Sequence, residues 1–203
     1  MTTRRAGLRE QKKQATREAL RVAALRLAMA HGPENVRVDD IAEAAGVAPR
    51  TYNNYFASRE QAIVAAVTAD REARVAAAVA GRPAAPLAEA IADAIVTEYT
   101  EPSEDTRDAL LMITTRPALR QAYLDAATAI EAPLSDVLTE RLGDPDTARV
   151  LAASVAAAVR IALDRWVRPT GSGLVVVRDS LADHLRTALA PLAPALDAAD
   201  ERR

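Results

Sequence analysis

VRVDDIAEAAGVAPRTYNNYF, running from Val36 to Phe56, decides how the rest of the chain is read. Asp39 and Asp40 open an apolar-periodic run, where carboxylates favour the positive end of a helix dipole. A short helix is therefore expected from about Val38 to Ala45. Gly46 ends it, because the residue just past a helix terminus commonly needs positive φ, which glycine adopts without a Cβ penalty. Val47 plugs the turn, and Pro49 suits the first position of a new helix, where its missing N–H costs nothing. Ala42 and Ala45 are small enough for two short helices to cross closely, and Ile41, Val47 and Phe56 supply an apolar wedge. The spacing predicts a helix-turn-helix whose second helix exposes Arg50, Thr51, Tyr52, Asn53, Asn54 and Tyr55.

Those side chains suit a DNA groove. Arg can bond guanine bidentately, Asn can do the same to adenine, and Thr and Tyr can bond phosphate or touch a thymine methyl. The gapped pattern I-A-x-x-A-G-V-x-x-x-T-x-x-x-Y-F-x-S-[KR]-E is filled here by Ile41, Ala42, Ala45, Gly46, Val47, Thr51, Tyr55, Phe56, Ser58, Arg59 and Glu60. Over its first quarter to third the chain thereby resembles the TetR family of bacterial transcriptional repressors. The resemblance implies an all-α fold: an N-terminal three-helix helix-turn-helix DNA-binding domain joined to a helical ligand-binding and dimerisation domain. It also implies binding to a palindromic, double-stranded DNA operator as a homodimer, with release by a small-molecule effector. Four positions depart from the family pattern. Arg37 stands where a phosphate-binding Thr is common, Ala48 where a capping Ser is common, Arg50 where a small residue is usual, and Asn53 where an aromatic is frequent.

The composition agrees with helices. Half of the 203 residues are apolar but only 3% are aromatic, so the core must be built from Ala, Leu, Val and Ile. With no cysteine, a disulfide frame and a thiolate metal site are excluded. No apolar run approaches membrane-spanning length and no signal-peptide core opens the chain, so a cytoplasmic protein without a membrane partner is expected. The net charge of −2 hides an asymmetry. Residues 1–60 hold eleven Arg or Lys against seven Asp or Glu, and the remainder fifteen against twenty-one. A basic start on an acidic body fits a DNA-binding head on an effector domain.

Taken in order, residues 1–8 lack apolar periodicity and read as an arm. From Arg9 a helical stripe runs through Thr16, Leu20, Ala23, Leu27 and Ala30 to Gly32-Pro33. Its other face presents Lys12, Lys13, Arg17 and Arg21, suited to flanking phosphates, and His31 suits the terminal carbonyls. Ser58 and Gln61 form a capping box opening a helix from Arg59 to about Ala80, with Arg59 aimed at a phosphate; in the family this helix joins head to body. The body parses into a helix through Leu87, Ile91, Ile95 and Tyr99, then one capped by Ser103 and carrying Leu110 to Ile113. A stretch from Pro117 to Leu142 follows, interrupted near Pro133. Asp144-Pro145 caps a helix to about Val167, whose Val150–Val159 segment has no charge on any face and so needs burial on more than one side. A last helix is expected from Leu174 to about Leu189, stopped by Pro191 and Pro194 before a polar tail, 197–203. The domains are then a head of residues 1–80, whose linking helix starts near 58, and a body of 84–196.

No nucleophile–base set, metal-ligand spacing or Gly-rich phosphate loop occurs, so neither catalytic nor metal residues nor a cofactor are expected, and His184 stands alone. Tyr99, Met112, Arg116, Tyr123, Arg160 and Trp166 lie in or beside apolar helices and are candidate walls of an effector pocket. Arg160 either pairs with Asp164 one turn on, or it or Arg116 receives an anionic effector. The resemblance places a four-helix dimer interface on the last two helices, here on Ala153, Ala157, Ile161, Val177, Leu181 and Leu185. The alternative is a helical ligand-binding or adaptor protein whose head contacts a protein partner.

Overall fold

A computed structural model describes residues 2–100, 104–167 and 180–202. Twelve α-helices account for most of them, and no β-strand occurs among the described residues. The chain divides into two compact units. One comprises the residues up to Thr68 together with Asp108–Tyr123, and the other Ala69–Arg107 together with the residues from Leu124 onward. This grouping differs from a simple head of residues 1–80, because a segment from the middle of the chain clusters with the N-terminal helices.

In the first unit, α1 (Thr2–His31) begins at once rather than after an eight-residue arm. Its opening residues are mostly helix formers with no proline, so nothing stops the helix before the chain start. Leu20, Ala23, Ala24 and Ala28 are buried, whereas the predicted stripe member Ala30 is exposed. A 3-10 turn (Pro33–Asn35) leads to α2 (Val38–Ala44), α3 (Pro49–Tyr52) and α4 (Arg59–Thr68). The buried stripe of α1 packs against α4 and α2, so small residues on α1 set a close helix–helix approach. Most of α7 (Glu104–Thr115) and α8 (Pro117–Ala126) also belongs to this unit.

The long helix expected from Arg59 to Ala80 is two helices, α4 and α5 (Arg71–Ala80). The break falls at Asp70, the one non-glycine residue among those described with positive φ, at 60°. Aspartate tolerates this left-handed region better than most residues, which is why the chain can turn here without glycine.

The second unit is built on α10 (Pro145–Trp166), which packs against α9 (Glu131–Leu142) and α11 (Leu181–Leu189), while α6 (Leu87–Thr100) packs against α5, α11 and α12 (Ala193–Asp200). Asp144 caps α10 as expected: its Oδ1 accepts the Asp146 N–H at 3.1 Å and its Oδ2 the Thr147 hydroxyl at 2.5 Å. Leu151, Ala152, Val155, Ala156, Val159 and Leu163 are buried along α10, but Val150 stays 66% and Ile161 50% exposed. Pro133 lies in the first turn of α9, and the interruption is a 3-10 segment, Ala127–Ile130, just before it.

Two expectations near the C-terminus are corrected. The last long helix starts at Leu181, because Ser180 is its N-cap, with extended backbone and Oγ accepting the Asp183 N–H at 3.1 Å. Leu174 and Val177, and likewise the Ser103 cap, lie outside the described residues. The polar tail is α12 and its end. Pro194 occupies the first turn of a helix instead of ending one, and Leu196 and Ala199 are buried. Asp197 Oδ1 accepts the Ala88 N–H in the first turn of α6 at 3.0 Å. The Arg141 side chain, 9% exposed, holds Asp200 through two N–H donors at 2.5 and 2.8 Å and also donates to the carbonyls of Arg82 and Ala85. Among the described residues no helix is long and apolar enough to cross a membrane.

Two outcomes test this architecture. Arg141→Ala is expected to lower stability by roughly 2–3 kcal/mol in denaturant titrations, less than the ~3–5 of a wholly buried pair because Asp200 is 22% exposed. Asp70→Val should be less stable than Asp70→Gly by about 1–2 kcal/mol, the penalty of a Cβ-branched residue at positive φ.

Candidate nucleic-acid interface

The turn of the helix-turn-helix is built from main-chain bonds around one glycine. Gly46 has φ 69°, its N–H donates to the Glu43 carbonyl at 2.9 Å, and the Val47 N–H reaches back to the Ala42 carbonyl at 2.9 Å. This paired arrangement closes α2 and satisfies carbonyls that a helix end leaves open. At its other end, the Arg37 N–H donates to Asp40 Oδ2 at 3.2 Å, so a first-turn carboxylate holds an N–H outside the helix while the Arg37 side chain stays exposed. Pro49 takes the first position of α3, and Ala48 provides no side-chain cap.

α3 is a single helical turn. Asn53 closes it and residues 53–55 continue as a tight turn, with the Phe56 N–H returning to the Tyr52 carbonyl at 3.1 Å. Of the six side chains expected to face outward, Arg50, Asn53 and Asn54 are exposed and Thr51 and Tyr55 half-buried. Tyr52 is a correction, because its side chain is completely buried, as that of Phe56 is almost completely. The Tyr52 and Phe56 rings lie 5.8 Å apart, tilted by 45°, and the Tyr52 hydroxyl donates to the Ser58 carbonyl at 2.7 Å. Burial, and then the charge of Glu60, pushes the Tyr52 phenol up to about 12, so it remains a neutral donor at every physiological pH. The sequence period alone could not separate Tyr52 from its neighbours, since a one-turn helix has no second turn to reveal its inner face.

Lys12 and Lys13 are exposed on α1. Arg17, on the same basic helix, holds its guanidinium 5.8 Å above the Phe56 ring, so it also braces α1 against the end of the helix-turn-helix. Ser58 caps α4 by accepting the Gln61 N–H at 3.1 Å, and the Gln61 amide oxygen accepts from Ala57 N–H at 2.7 Å, one residue earlier than a regular capping box. Arg59 is the second correction. Its Nη1 donates to the carbonyls of Glu34 and Val36 at 2.9 and 2.8 Å and its Nε to Glu60 at 2.8 Å, which makes it a tie between α4 and the segment entering α2 rather than a guanidinium held out for phosphate.

The six candidate pocket residues fall in different places. Met112, Arg116 and Tyr123 belong to the first unit: Met112 is half-buried, Tyr123 is buried, and Arg116 is exposed and paired with Glu34 at 2.6 Å. Tyr99, Arg160 and Trp166 belong to the second. Tyr99 is buried under the Arg71 guanidinium, whose carbon lies 3.7 Å from the ring centroid, an arrangement worth about 2 kcal/mol when desolvated. Glu72 lies 3.9 Å from the same guanidinium, yet its burial outweighs that charge and raises its carboxyl above the usual range. Arg160 is exposed and reaches Asp125 at 3.4 Å, a partner on another helix in place of the expected Asp164. None of the six lines the groove of about 430 Å³ between α10 and α12, which is walled by Val150, Leu151, Ala195 and Ala198 with Asp146, Thr147 and Arg202.

Of the residues mapped to a dimer interface, Ala157 and Ile161 are exposed, and Ala153 and Leu181 half-buried. Leu185 is corrected: it is wholly buried within its own unit, on the face of α11 that packs against α6 and α10.

Two short helices set by a left-handed glycine, with arginine and asparagines on the outer edge of the second, define a DNA-binding helix-turn-helix head. Residues 20–66 match the family model described as bacterial regulatory proteins, tetR family. Over 67 residues, a third of the chain, it is 43% identical to the HTH-type transcriptional regulator TcmR of Streptomyces glaucescens, and the match spans 30% of that relative. The chain also aligns over 90% of its length with 99% of the crystal structure of a proposed TetR-family transcriptional regulator from Rhodococcus sp., at 18% identity and a TM-score of 0.47. The matched family model and the curated relative are both described as regulators.

Tyr52 separates core from contact. Tyr52→Phe is expected to lose about 1 kcal/mol of stability, the worth of one hydrogen bond, and Tyr52→Ala about 3–5 kcal/mol, both read from thermal unfolding.

Proposed function

We propose that this chain is a ligand-responsive transcriptional repressor that binds a palindromic operator as a homodimer. The observation that carries the reading is the exposed Arg50–Asn53–Asn54 edge on a head whose residues 20–66 match the tetR family. Arg50 and the asparagines are assigned to base edges, and Lys12, Lys13, Arg37, Thr51 and Tyr55 to phosphates that fix the register of the head in the groove. Two heads related by a two-fold axis read half-sites about one helical turn apart, roughly 34–36 Å.

Support for self-association comes from α10. Val150, Ala153, Ala157 and Ile161 recur at helical spacing on one side, and the two largest of them are exposed large apolar side chains. Joining two such stripes, with neighbouring helices, is the route by which an all-apolar helix segment gains its second buried side. Release by a small molecule is carried over from the family. Mechanically, a ligand in the helical body releases DNA only by favouring an arrangement of the two heads that fits the operator less well.

The test is a titration of the protein into duplexes from its own upstream region, against excess unrelated DNA, at two salt concentrations. Specific binding that falls steeply with salt is expected, with a log–log slope near −0.9 per phosphate contacted. Arg50→Ala and Asn53→Ala should relax base preference by about 1–3 kcal/mol at one position each, while Lys12→Ala lowers affinity for all sequences alike and reduces the salt slope by about one. Salt-insensitive or absent binding would overturn the reading in favour of a protein-binding adaptor. Ile161→Asp is expected to shift sedimentation toward monomer and to weaken operator binding with it.

A further inference from the structure

The first unit contains one ion pair that spans 82 residues of sequence. Arg116 Nη1 donates to Glu34 Oε2 at 2.6 Å. Glu34 sits in the 3-10 turn that carries the chain from α1 into the helix-turn-helix, and Arg116 occupies the corner between α7 and α8. Both ends are held from behind. On the Glu34 side, Pro33 and Val36 are buried, Asn35 Nδ2 donates to the His31 carbonyl at 2.8 Å, and Arg59 bonds the carbonyls of Glu34 and Val36. Gly32 leaves room for the carboxylate, since a Cβ there would stand 3.0 Å from Glu34 Oε1. On the Arg116 side, the hydroxyls of Thr114 and Thr115 bond back to carbonyls of the last turns of α7, and the Arg116 carbonyl accepts the Arg120 N–H at 2.9 Å as α8 begins. Hydrogen bonding from its own backbone and then the Arg116 charge hold the Glu34 carboxyl below the usual range, so the pair is charged throughout neutral pH.

Both side chains are about half exposed, and a pair so screened by solvent adds little to stability. Its leverage is positional. It joins a braced corner of the middle of the chain to the short turn from which Arg37 and α2 start, and a head whose entry turn is held in advance loses less freedom when it docks.

Resting on the DNA-binding reading above, we propose that Glu34 and Arg116 form a strut that positions the helix-turn-helix for DNA, so that neither residue touches DNA yet both set its affinity. Glu34→Gln is the discriminating variant. It removes a negative charge from the head, which by electrostatics alone tightens DNA binding, whereas loss of the strut weakens it. The expected result is a roughly three- to tenfold loss of affinity for the specific duplex in Glu34→Gln and in Arg116→Ala, a thermal midpoint within about 2 °C of the parent, and recovery in the exchanged pair E34R/R116E. Amide exchange at Asn35 and Arg37, measured without DNA, should speed up in both single variants and slow again in the exchanged pair.

Unchanged exchange in the single variants overturns the strut whatever DNA does. Unchanged or tighter DNA binding by Glu34→Gln, with the parent binding normally, overturns its link to affinity. A parent protein that binds no duplex overturns the repressor reading and this positioning role with it, and the exchange data then show whether the strut itself exists.

Discussion

The burial of Tyr52 is the constraint on which the head depends. Its ring is wholly buried beside that of Phe56, and its hydroxyl ties the end of α3 to the Ser58 carbonyl at the start of α4. A helix of one turn cannot hold its own shape by backbone bonds, because nucleation leaves most of its N–H and C=O groups unpaired. Its geometry is imposed from outside, by an aromatic plug beneath it and by the Gly46 turn before it. Arg50, Asn53 and Asn54 point outward because Tyr52 and Phe56 point inward.

In both units, arginines do structural work that their charge alone would not foretell. Arg17 lies over Phe56, Arg59 bonds two carbonyls of the segment entering α2, and Arg141 gathers Asp200 and two carbonyls beneath α12. The planar guanidinium offers five donors in a fixed fork, so one side chain can collect backbone carbonyls from chain segments that have no helix in common. The basic charge at the start of the chain is therefore divided between residues left exposed to solvent, such as Lys12 and Lys13, and residues that hold the head together.

The body follows a different logic. With almost no aromatic filling, its helices approach through Ala, Val and Leu, and α10 is buried on the sides that meet α9 and α11 while Val150 and Ile161 remain in water. The left-handed Asp70 lies beside the boundary between the two units, so the helical run expected from Arg59 to Ala80 is divided into two short helices there.

The sequence by itself determined the helical class, the helix-turn-helix and its glycine and proline, the Ser58 and Asp144 caps, and the uncharged run of α10. Each of these is a local signal, written in spacing or in the backbone preference of a single residue. Tertiary structure alone decided that Tyr52 is core, that Arg59 ties backbone, that Arg160 reaches Asp125, that Leu185 faces inward, and that the C-terminal residues form a packed helix. The reason is common to all five. A side chain's partner depends on which distant segment packs against it, and neither the polarity of a residue nor its place in a helical period says which face will be covered.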